Sequence, residues 1–334
     1  MEIGSSPVRS GFIIGVDIGG TKVAAGLVAP SGEIRYHTRV PMAANNGPES
    51  GLASVTQSID QVCAKASSAD GVLQGIGICA PGPLDPNTGV ILNPPNVPCW
   101  RNFPLADEIS RKYDVPVKVD NDANAAALAE AMWGAGRGFR NIFYATLGTG
   151  IGTGIVFDGH IYHGRTGAAA EGGHVSIDYR GPICACGKPG CIEVFASGPA
   201  IAKRAQALLL ANRTQSPVLR SMANGNSVTT QMVGEAYARG DPVATETLRE
   251  TVQLLSLWLG NMIDLLEPDV IIIGGGVAAM MKPFFGEIRD RLPGCCVNRR
   301  CQEIPIVMAC YGADAGIAGG AALAAEGLTV KVEG

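Results

Sequence analysis

The sequence lacks a basic excess. It contains 26 lysines and arginines against 30 aspartates and glutamates, a formal net charge of −4. A protein that holds nucleic acid through its phosphates needs a positive surface, so this balance argues against a nucleic-acid partner. The sequence also has no apolar run of membrane-spanning length, and no charged segment followed by an apolar stretch opens it. We therefore expect no membrane partner and a cytoplasmic, reducing setting.

The composition is that of a globular protein with a sizeable core. The chain has 334 residues, of which 46% are hydrophobic, and this length allows about two domains. Its 45 glycines cluster in short runs beside apolar strands, a pattern typical of loops where the backbone approaches a ligand closely. Residues 1–10 are predicted to form a disordered leader.

A compact group of metal-ligating residues lies between Glu171 and Glu193. His174, Cys184, Cys186 and Cys191 fall within 18 residues that are interleaved with glycine and proline. Thiolates and an imidazole suit tetrahedral zinc, and a set of three cysteines and one histidine leaves no open position for a catalytic water. The sequence therefore predicts a structural zinc knuckle. The alternative is a set of free or disulfide-bonded cysteines, which would leave His174 unexplained.

Two carboxylates frame the predicted knuckle. Glu171 precedes His174 by three residues, and Glu193 follows Cys191 by two. A metal that clamps a loop also orients what the neighbouring residues present, so both acids are candidate functional groups. The alternative is that both are solvated surface residues. The other seven of the ten cysteines are predicted to be buried or ordinary free thiols.

A glycine turn joins the first two predicted strands, Phe12 to Val16 and Val23 to Val28. Between them lie Asp17, Gly19, Gly20, Thr21 and Lys22, and the turn leads into a strand rather than a helix, unlike a Walker loop. Glycine N–H groups and the threonine hydroxyl can face an anion, and an aspartate at a strand end can hold Mg²⁺. The alternative is an ordinary hairpin with a Gly-Gly turn.

The same pattern recurs in the second half of the chain. A strand from Phe143 to Leu147 is followed by a glycine-rich turn over Gly148–Gly154 and a return strand over Ile155–Phe157. Two such units predict an internal duplication and a nucleotide held by two phosphate-facing hairpins in two lobes. The predicted phosphate contacts here are Gly148, Thr149, Gly150 and Gly152.

Polar residues also follow other predicted strands. Asn121 and Asp122 lie at a strand-to-helix junction, where a carboxylate can take a proton from a substrate hydroxyl. The alternative is helix capping, which is the usual role of such residues. The prolines before Asn96 predict a rigid loop whose amides can bind a polar ligand, with simple turn formation as the alternative.

The C-terminal third carries one further glycine motif. An apolar strand runs into Gly274, Gly275 and Gly276, which suits a base or ribose lying against bare backbone. The loose fit to a dinucleotide-binding pattern lacks an acid after the following strand, so a dinucleotide enzyme is disfavoured. Upstream of it, residues 215–227 are predicted to form a loop and Pro242–Leu266 a helix with an apolar stripe.

With these motifs, the chain resembles the ROK (repressor, open reading frame, kinase) family of the hexokinase–actin superfold. The resemblance covers residues from about 12 to 325 and implies a two-lobed α/β fold (ribonuclease H-like). The implied small lobe comprises residues 11–119 plus about 316–330, and the implied large lobe comprises residues 120–315. The motifs that carry the resemblance are Asp17-Ile-Gly-Gly-Thr-Lys22, Asn121-Asp122-Ala-Asn124, Leu147-Gly-Thr-Gly-Ile-Gly152, Glu171-x-x-His174 and Cys184-x-Cys186-x4-Cys191-x-Glu193.

The resemblance implies phosphorylation of a hexose, glucose being favoured, at its 6-hydroxyl by ATP with Mg²⁺. Asp122 is the implied general base, and the two glycine turns would hold the phosphates while Gly274–Gly276 hold the adenosine. His174 would bind zinc through one ring nitrogen and face the sugar with the other. The implied sugar contacts are Gly82, Asn96, Asn121, Asp122, Glu171, His174 and Glu193.

Some alternatives stay open within the resemblance. Gly172 and Gly173 stand where the family often has a bulky apolar residue first, and Ala185 stands where glycine is common, which leaves sugar specificity undecided. The alternative substrates are N-acetylmannosamine, N-acetylglucosamine, mannose and fructose, and polyphosphate is the alternative donor. A sugar-responsive repressor is disfavoured, because few residues precede Asp17 to form a DNA-binding domain. A non-catalytic sugar sensor is less favoured than a kinase. A homodimer or homotetramer is expected from the family.

Overall fold

The computed structural model describes residues 11–67, 70–211 and 216–329, so the predicted leader at residues 1–10 lies outside the described part. The chain packs into two compact units. The first combines Met1–Arg137, Gly159–Ala169 and Ala313–Gly334, and the second combines Gly138–Asp158 and Ala170–Gly312. The lobe boundary predicted between residues 119 and 120 therefore lies within the first unit.

The described residues form an α/β structure. Numbered along the chain, the strands are β1 (Gly11–Ile18), β2 (Lys22–Val28), β3 (Ile34–Pro41), β4 (Val72–Ala80), β5 (Leu84–Asp85), β6 (Val90–Ile91), β7 (Val117–Asn121), β8 (Asn141–Leu147), β9 (Ile151–Phe157), β10 (His160–Ile161), β11 (Val270–Gly274) and β12 (Ile306–Met308). The helices are α1 (Pro48–Cys63), α2 (Leu105–Tyr113), α3 (Asp122–Met132), α4 (Glu193–Ala196), α5 (Gly198–Leu210), α6 (Pro217–Ala223), α7 (Thr230–Ala238), α8 (Pro242–Leu266), α9 (Gly276–Met281), α10 (Phe285–Arg291) and α11 (Ala315–Thr329).

The first unit is built on a five-stranded sheet with the order β3-β2-β1-β4-β7. Strands β1, β2 and β3 are antiparallel neighbours, whereas β4 and β7 continue the sheet in parallel with β1. Helix α11 packs directly on β1 and β4. A Cβ atom on Gly77 would lie 1.7 Å from the carbonyl oxygen of Gly320, so glycine alone permits this close approach of helix and sheet.

The second unit repeats the same strand pattern. Its strands follow the order β9-β8-β11-β12, with β8 and β9 antiparallel and with β8, β11 and β12 parallel. Each unit thus has a central strand that is antiparallel to the strand after its glycine turn and parallel to the strand on its other side. This correspondence supports the predicted internal duplication.

Apolar side chains from both sheets and helices fill separate cores. In the second unit, α8 buries Leu248, Val252, Leu255 and Leu259 completely or almost completely, which agrees with the predicted apolar stripe. Asp241 caps this helix by accepting from the N–H groups of Val243 and Ala244.

Two further findings concern helices. The predicted loop at residues 215–227 was wrong in part, because Pro217–Ala223 forms α6, which begins with proline at its first position. Among the residues that the structure describes, no helix combines the length and the apolarity needed to cross a bilayer.

Candidate active site and metal centre

The junction of β7 and α3 presents the predicted general base. Asn121 caps α3, since its side-chain oxygen accepts from the N–H of Ala123 at 2.9 Å, and Asp122 is the first residue of the helix. The carboxylate of Asp122 accepts from the same N–H at 2.8 Å and remains accessible to solvent. The capping alternative for Asn121 therefore holds, and the same geometry leaves Asp122 free to contact a substrate.

The environment of Asp122 suits a proton acceptor. The surrounding protein displaces part of the water around this accessible carboxylate and so raises its pKa, while the N–H groups of Ala123 and of Asp122 itself oppose this rise. The pKa of Asp17, at the end of β1, is also raised, first by burial and then by the negative charge of Asp122, and Lys22 and Arg39 act in the opposite direction. Two carboxylates with raised pKa values in one unit are typical of an active site.

The first glycine turn lies between Asp17 and Lys22, as predicted. The N–H of Gly19 donates to the carbonyl of Lys22 at 2.9 Å, and Thr21 and Lys22 are exposed. Gly20 packs against the backbone carbonyl of Asn96, so the turn and the proline-containing loop are neighbours.

Gly82 is near the same group of residues. A Cβ atom placed on Gly82 would be 3.8 Å from the side-chain nitrogen of Asn121.

Asp17 offers a ligand for Mg²⁺. This cation prefers oxygen ligands, and the partly exposed carboxylate of Asp17 beside the first glycine turn fits that requirement. The first unit thus brings the predicted residues Asp17, Gly20, Gly82, Asn96, Asn121 and Asp122 into one region.

The second glycine turn is shorter than predicted. It spans Gly148–Gly150, closed by a hydrogen bond of 2.9 Å from Gly148 N–H to the Gly150 carbonyl, whereas Gly152 lies within β9. The predicted turn over residues 148–154 was therefore wrong at its end, because residues 151–157 pair with β8 in a continuous ladder. The carbonyl of Gly148 accepts from the N–H of Gly198, which joins the turn to α5.

A cavity of about 1120 Å³ opens beside this turn within the second unit. Its lining is largely apolar, and it includes Gly148 and Thr149 at one side and Gly276, the first residue of α9, at another. Among the polar residues of the lining, the side-chain amide of Gln231 donates to the carboxylate of Glu235 at 2.8 Å. A space of this size beside a glycine turn can hold a nucleoside whose phosphates face the turn.

The predicted zinc ligands converge. One ligand atom from each of His174, Cys184, Cys186 and Cys191 lies within 4.8 Å of the other three. The sulfur of Cys184 is 3.6 Å from Nδ1 of His174, and the sulfurs of Cys186 and Cys191 are 3.6 Å apart. A tetrahedral zinc with bonds of about 2.3 Å to sulfur separates its ligands by roughly 3.8 Å. The donor set and its spacing therefore fit zinc. All ten cysteines lie in the described part of the chain, and none of them there forms a disulfide bond.

Tight packing holds the loop that carries His174. A Cβ atom on Gly173 would meet the carbonyl oxygen of Ile151 at 1.9 Å, so the short helical turn Gly172–His174 lies directly on β9. Trp258, which is fully buried in α8, donates to the carbonyl of Gly172 at 3.0 Å. The contact with Ile151 therefore requires glycine at position 173. A Cβ atom on Gly172, the residue that departs from the family pattern, would meet Oγ1 of Thr153 at 2.8 Å.

The two framing carboxylates differ in their surroundings. Glu171 is exposed, and its carbonyl accepts from the N–H of His174 at 3.0 Å. Glu193 begins α4 and is half-buried; one carboxylate oxygen accepts from Ile151 N–H, and the other is 3.8 Å from the sulfur of Cys184. The second unit thus brings the predicted residues Glu171 and Glu193 beside the candidate metal centre that includes His174.

One pair beside the candidate base was missed by sequence reasoning. Nε2 of His163 lies 2.6 Å from Oδ2 of Asp120, and 43 residues separate the two in the chain. No local spacing signals such a pair. The one sequence signal was that three acidic or amide residues stand in a row at the β7–α3 junction, which is more than one helix cap needs.

The two units, each with a sheet whose central strand leads into a glycine turn, define an α/β protein with a hexokinase-like fold. Residues 13–327 match the family model described as "ROK family", and the chain belongs to that family. The predicted resemblance is thereby confirmed.

Known relatives include enzymes and regulators. A glucokinase of Thermotoga maritima is 33% identical over 315 residues, which cover 94% of this chain and 97% of the relative. The crystal structure of a ROK family glucokinase from Streptomyces griseus, in complex with glucose and AMPPNP, shares 33% identity at a TM-score of 0.78 and covers 95% of this chain and 100% of that one. A xylose repressor of Caldicellulosiruptor bescii is 30% identical and covers 83% of this chain and 68% of the relative.

Proposed function

We propose that the protein is an ATP-dependent hexokinase that phosphorylates the 6-hydroxyl of glucose. The observation that carries this proposal is the accessible carboxylate of Asp122 at the start of α3, with a raised pKa and with Asn121 beside it. The similarity to the Streptomyces griseus glucokinase, whose structure contains glucose and AMPPNP, supports the same reaction.

Asp122 acts as the general base in this reaction. Its carboxylate accepts the proton of the 6-hydroxyl while the hydroxyl oxygen attacks the γ-phosphorus of ATP, and ADP leaves with the electron pair of the broken P–O bond. A general base works best when its pKa lies near the working pH, and a strongly acidic carboxylate is a poor proton acceptor. The raised pKa of Asp122 therefore favours this role. Mg²⁺ bound with ATP would neutralise charge on the phosphates, and Asp17 is the residue assigned to hold it.

The remaining residues bind and orient the two substrates. Glycine N–H groups of the turns at Gly19–Lys22 and Gly148–Gly150 contact the phosphates, and the cavity beside Gly276 holds the adenosine. His174, Cys184, Cys186 and Cys191 would hold zinc, which would order the loop that carries His174. The imidazole and the neighbouring carboxylates would then meet the sugar in a fixed orientation. The residues assigned to the sugar are Gly82, Asn96, Asn121, Asp122, Glu171, His174 and Glu193.

A coupled assay of ADP release tests this function. Zinc-loaded protein is incubated with Mg-ATP and, in turn, glucose, mannose, fructose, N-acetylglucosamine and N-acetylmannosamine, with polyphosphate replacing ATP in a parallel series. We expect the highest kcat/KM with glucose and ATP. Preference for another sugar would replace glucose as the substrate while keeping the base. Absence of turnover with every sugar and both donors would refute the kinase and favour a sugar-sensing regulator, as the similarity to the xylose repressor allows.

A further inference from the structure

The buried carboxylate of Asp120 is satisfied by three partners. It is 3% exposed at the end of β7, and Oδ1 accepts from the N–H of Asn121 at 2.6 Å and from Nδ2 of Asn124 at 3.2 Å. Its second oxygen, Oδ2, is 2.6 Å from Nε2 of His163. A buried carboxylate costs free energy unless it is hydrogen-bonded or paired, so the bond to His163 completes the set.

His163 reaches Asp120 from a separate stretch of chain. The segment Gly159–Ala169 belongs to the first unit although the residues before and after it belong to the second. The side chain of His163 is 35% exposed, and its backbone carbonyl accepts from the N–H of Ala169 at 3.2 Å. Removing the imidazole therefore leaves the strand and the helix of the junction intact but takes away one partner of Asp120.

The charges around His163 favour its protonated form. The hydrogen bond to Asp120 is the main cause that raises the pKa of His163, and burial opposes this rise. The negative charge of Glu326 raises the pKa a little further, and the positive charge of Lys118 lowers it slightly. A protonated imidazole donates a charge-assisted hydrogen bond, which is stronger and more directional than a neutral one.

Asp120 precedes the proposed base by two residues and binds the N–H of the residue between them. The N–H of Asn121 is fixed by Asp120, and the N–H of Ala123 is fixed by Asn121 and Asp122. Rotation of the Asp120 carboxylate would release the first of these bonds and change the path of the backbone that carries Asp122. We propose that His163 is a positioning residue that holds Asp120, and through it the β7–α3 junction, in the orientation that presents Asp122 to the substrate hydroxyl. This role in catalysis rests on the proposed kinase function.

Three variants test the proposal. His163→Ala removes the donor, and His163→Gln replaces it with an uncharged amide donor of similar reach. His160→Ala is the matched control, because His160 lies in the same segment but contacts Glu326, at 3.0 Å, rather than Asp120. We expect kcat to fall roughly tenfold in His163→Ala with little change in KM for ATP, since small displacements of a reacting group are costly. His163→Gln restores most of kcat, and His160→Ala keeps the wild-type value.

A second measurement does not depend on activity. Hydrogen exchange of the peptide spanning residues 119–124 reports directly on the N–H groups of Asn121 and Ala123, and we expect roughly tenfold faster exchange in His163→Ala only. Unchanged exchange and unchanged kcat in His163→Ala would overturn the proposal. A fall in kcat that only matches the loss of folded protein, and that His163→Gln does not restore, would overturn it as well. If the wild-type protein transfers no phosphate to any sugar, the proposed function fails, and the exchange rates still decide whether His163 orders the junction.

Discussion

The N–H of Ile151 donates to Oε2 of Glu193 over 2.9 Å. The first residue of the strand after the second glycine turn is thereby joined to the first residue of α4, which lies two positions after the predicted zinc ligand Cys191. Because Oε1 of Glu193 lies 3.8 Å from the sulfur of Cys184, the same carboxylate contacts both a predicted metal ligand and the strand. Within the second unit, the predicted phosphate-binding turn and the predicted sugar-binding residues therefore share one hydrogen-bonded support.

Replacement of Asp122 by asparagine should remove catalysis but retain sugar binding. Asparagine has the same shape and can still accept from Ala123 N–H, but it cannot take the hydroxyl proton, so kcat should fall about 10²–10⁴-fold. Steady-state kinetics and calorimetric titration with glucose measure the two effects. Asp107→Asn, the same change at an exposed position of α2, should match the wild type. Near-wild-type turnover in Asp122→Asn would contradict the assignment.

The stability of the protein should depend on the ionisation of Asp122. Its pKa in the folded state is raised above the ordinary value of 3.8, so the folded protein favours the protonated form more than the unfolded chain does. The ionised carboxylate therefore destabilises the fold above its folded pKa. This penalty declines as the pH falls below that value, and it is gone below the ordinary pKa of 3.8. Thermal unfolding should show Asp122→Asn to be more stable than the wild type at pH 7, with a smaller difference near pH 4. An equal difference at both pH values would contradict this reasoning.

Loss of one predicted zinc ligand should weaken hexose binding more than ATP binding. Elemental analysis of the purified protein should find about one zinc per chain, and Cys184→Ser should reduce it. Loosening the loop that carries His174 should raise the KM for hexose at least tenfold, with a much smaller change in the KM for ATP. The exposed Cys310, outside the cluster, provides the control Cys310→Ser. Absence of zinc from the wild type, or equal loss of both affinities, would argue against an ordered zinc loop.

Addition of one methyl group to Gly173 should disturb the same loop. The new Cβ atom would lie 1.9 Å from the carbonyl oxygen of Ile151, so the loop or β9 must move. We expect Gly173→Ala to lower the free energy of unfolding by about 1–3 kcal/mol, the usual cost of overpacking, and to raise the KM for hexose. Gly286→Ala is the control, because its Cβ atom would meet nothing within 4 Å. Since Gly286 lies in α10, this change should keep or slightly raise the free energy of unfolding and leave the KM for hexose unchanged. A fully stable and active Gly173→Ala would show that the contact relaxes without cost.

The sequence predicted the elements whose signals are local. The strands on both sides of each glycine turn, the long helix Pro242–Leu266 and the convergence of His174 with three cysteines all follow from short-range spacing, and the structure agrees with each. The end of the second turn was predicted wrongly. The glycines after Ile151 predicted a turn, but these residues belong to β9 and pair with β8. Helix α6 was missed because its seven residues give too short an apolar period.

Contacts between distant residues were beyond the reach of the sequence. The pairing of His163 with Asp120 and the bond from Trp258 to the Gly172 carbonyl depend on how separate elements pack. The partial desolvation that raises the pKa of the Asp122 carboxylate likewise arises from tertiary packing and not from the residues beside it. The residue types of the candidate site were therefore predictable, whereas their support and their electrostatics were not.

The contact between Gly77 and Gly320 has a consequence for biosynthesis. The face of the β1–β4 pair that α11 covers is made in the first quarter of the chain, while the helix that covers it emerges from the ribosome among the last residues described. The second unit, whose stretches end at Gly312, is translated in full before that helix exists. The first unit is thus completed only after the second unit has been synthesised, and its apolar sheet face is a surface for a chaperone to shield until α11 is made.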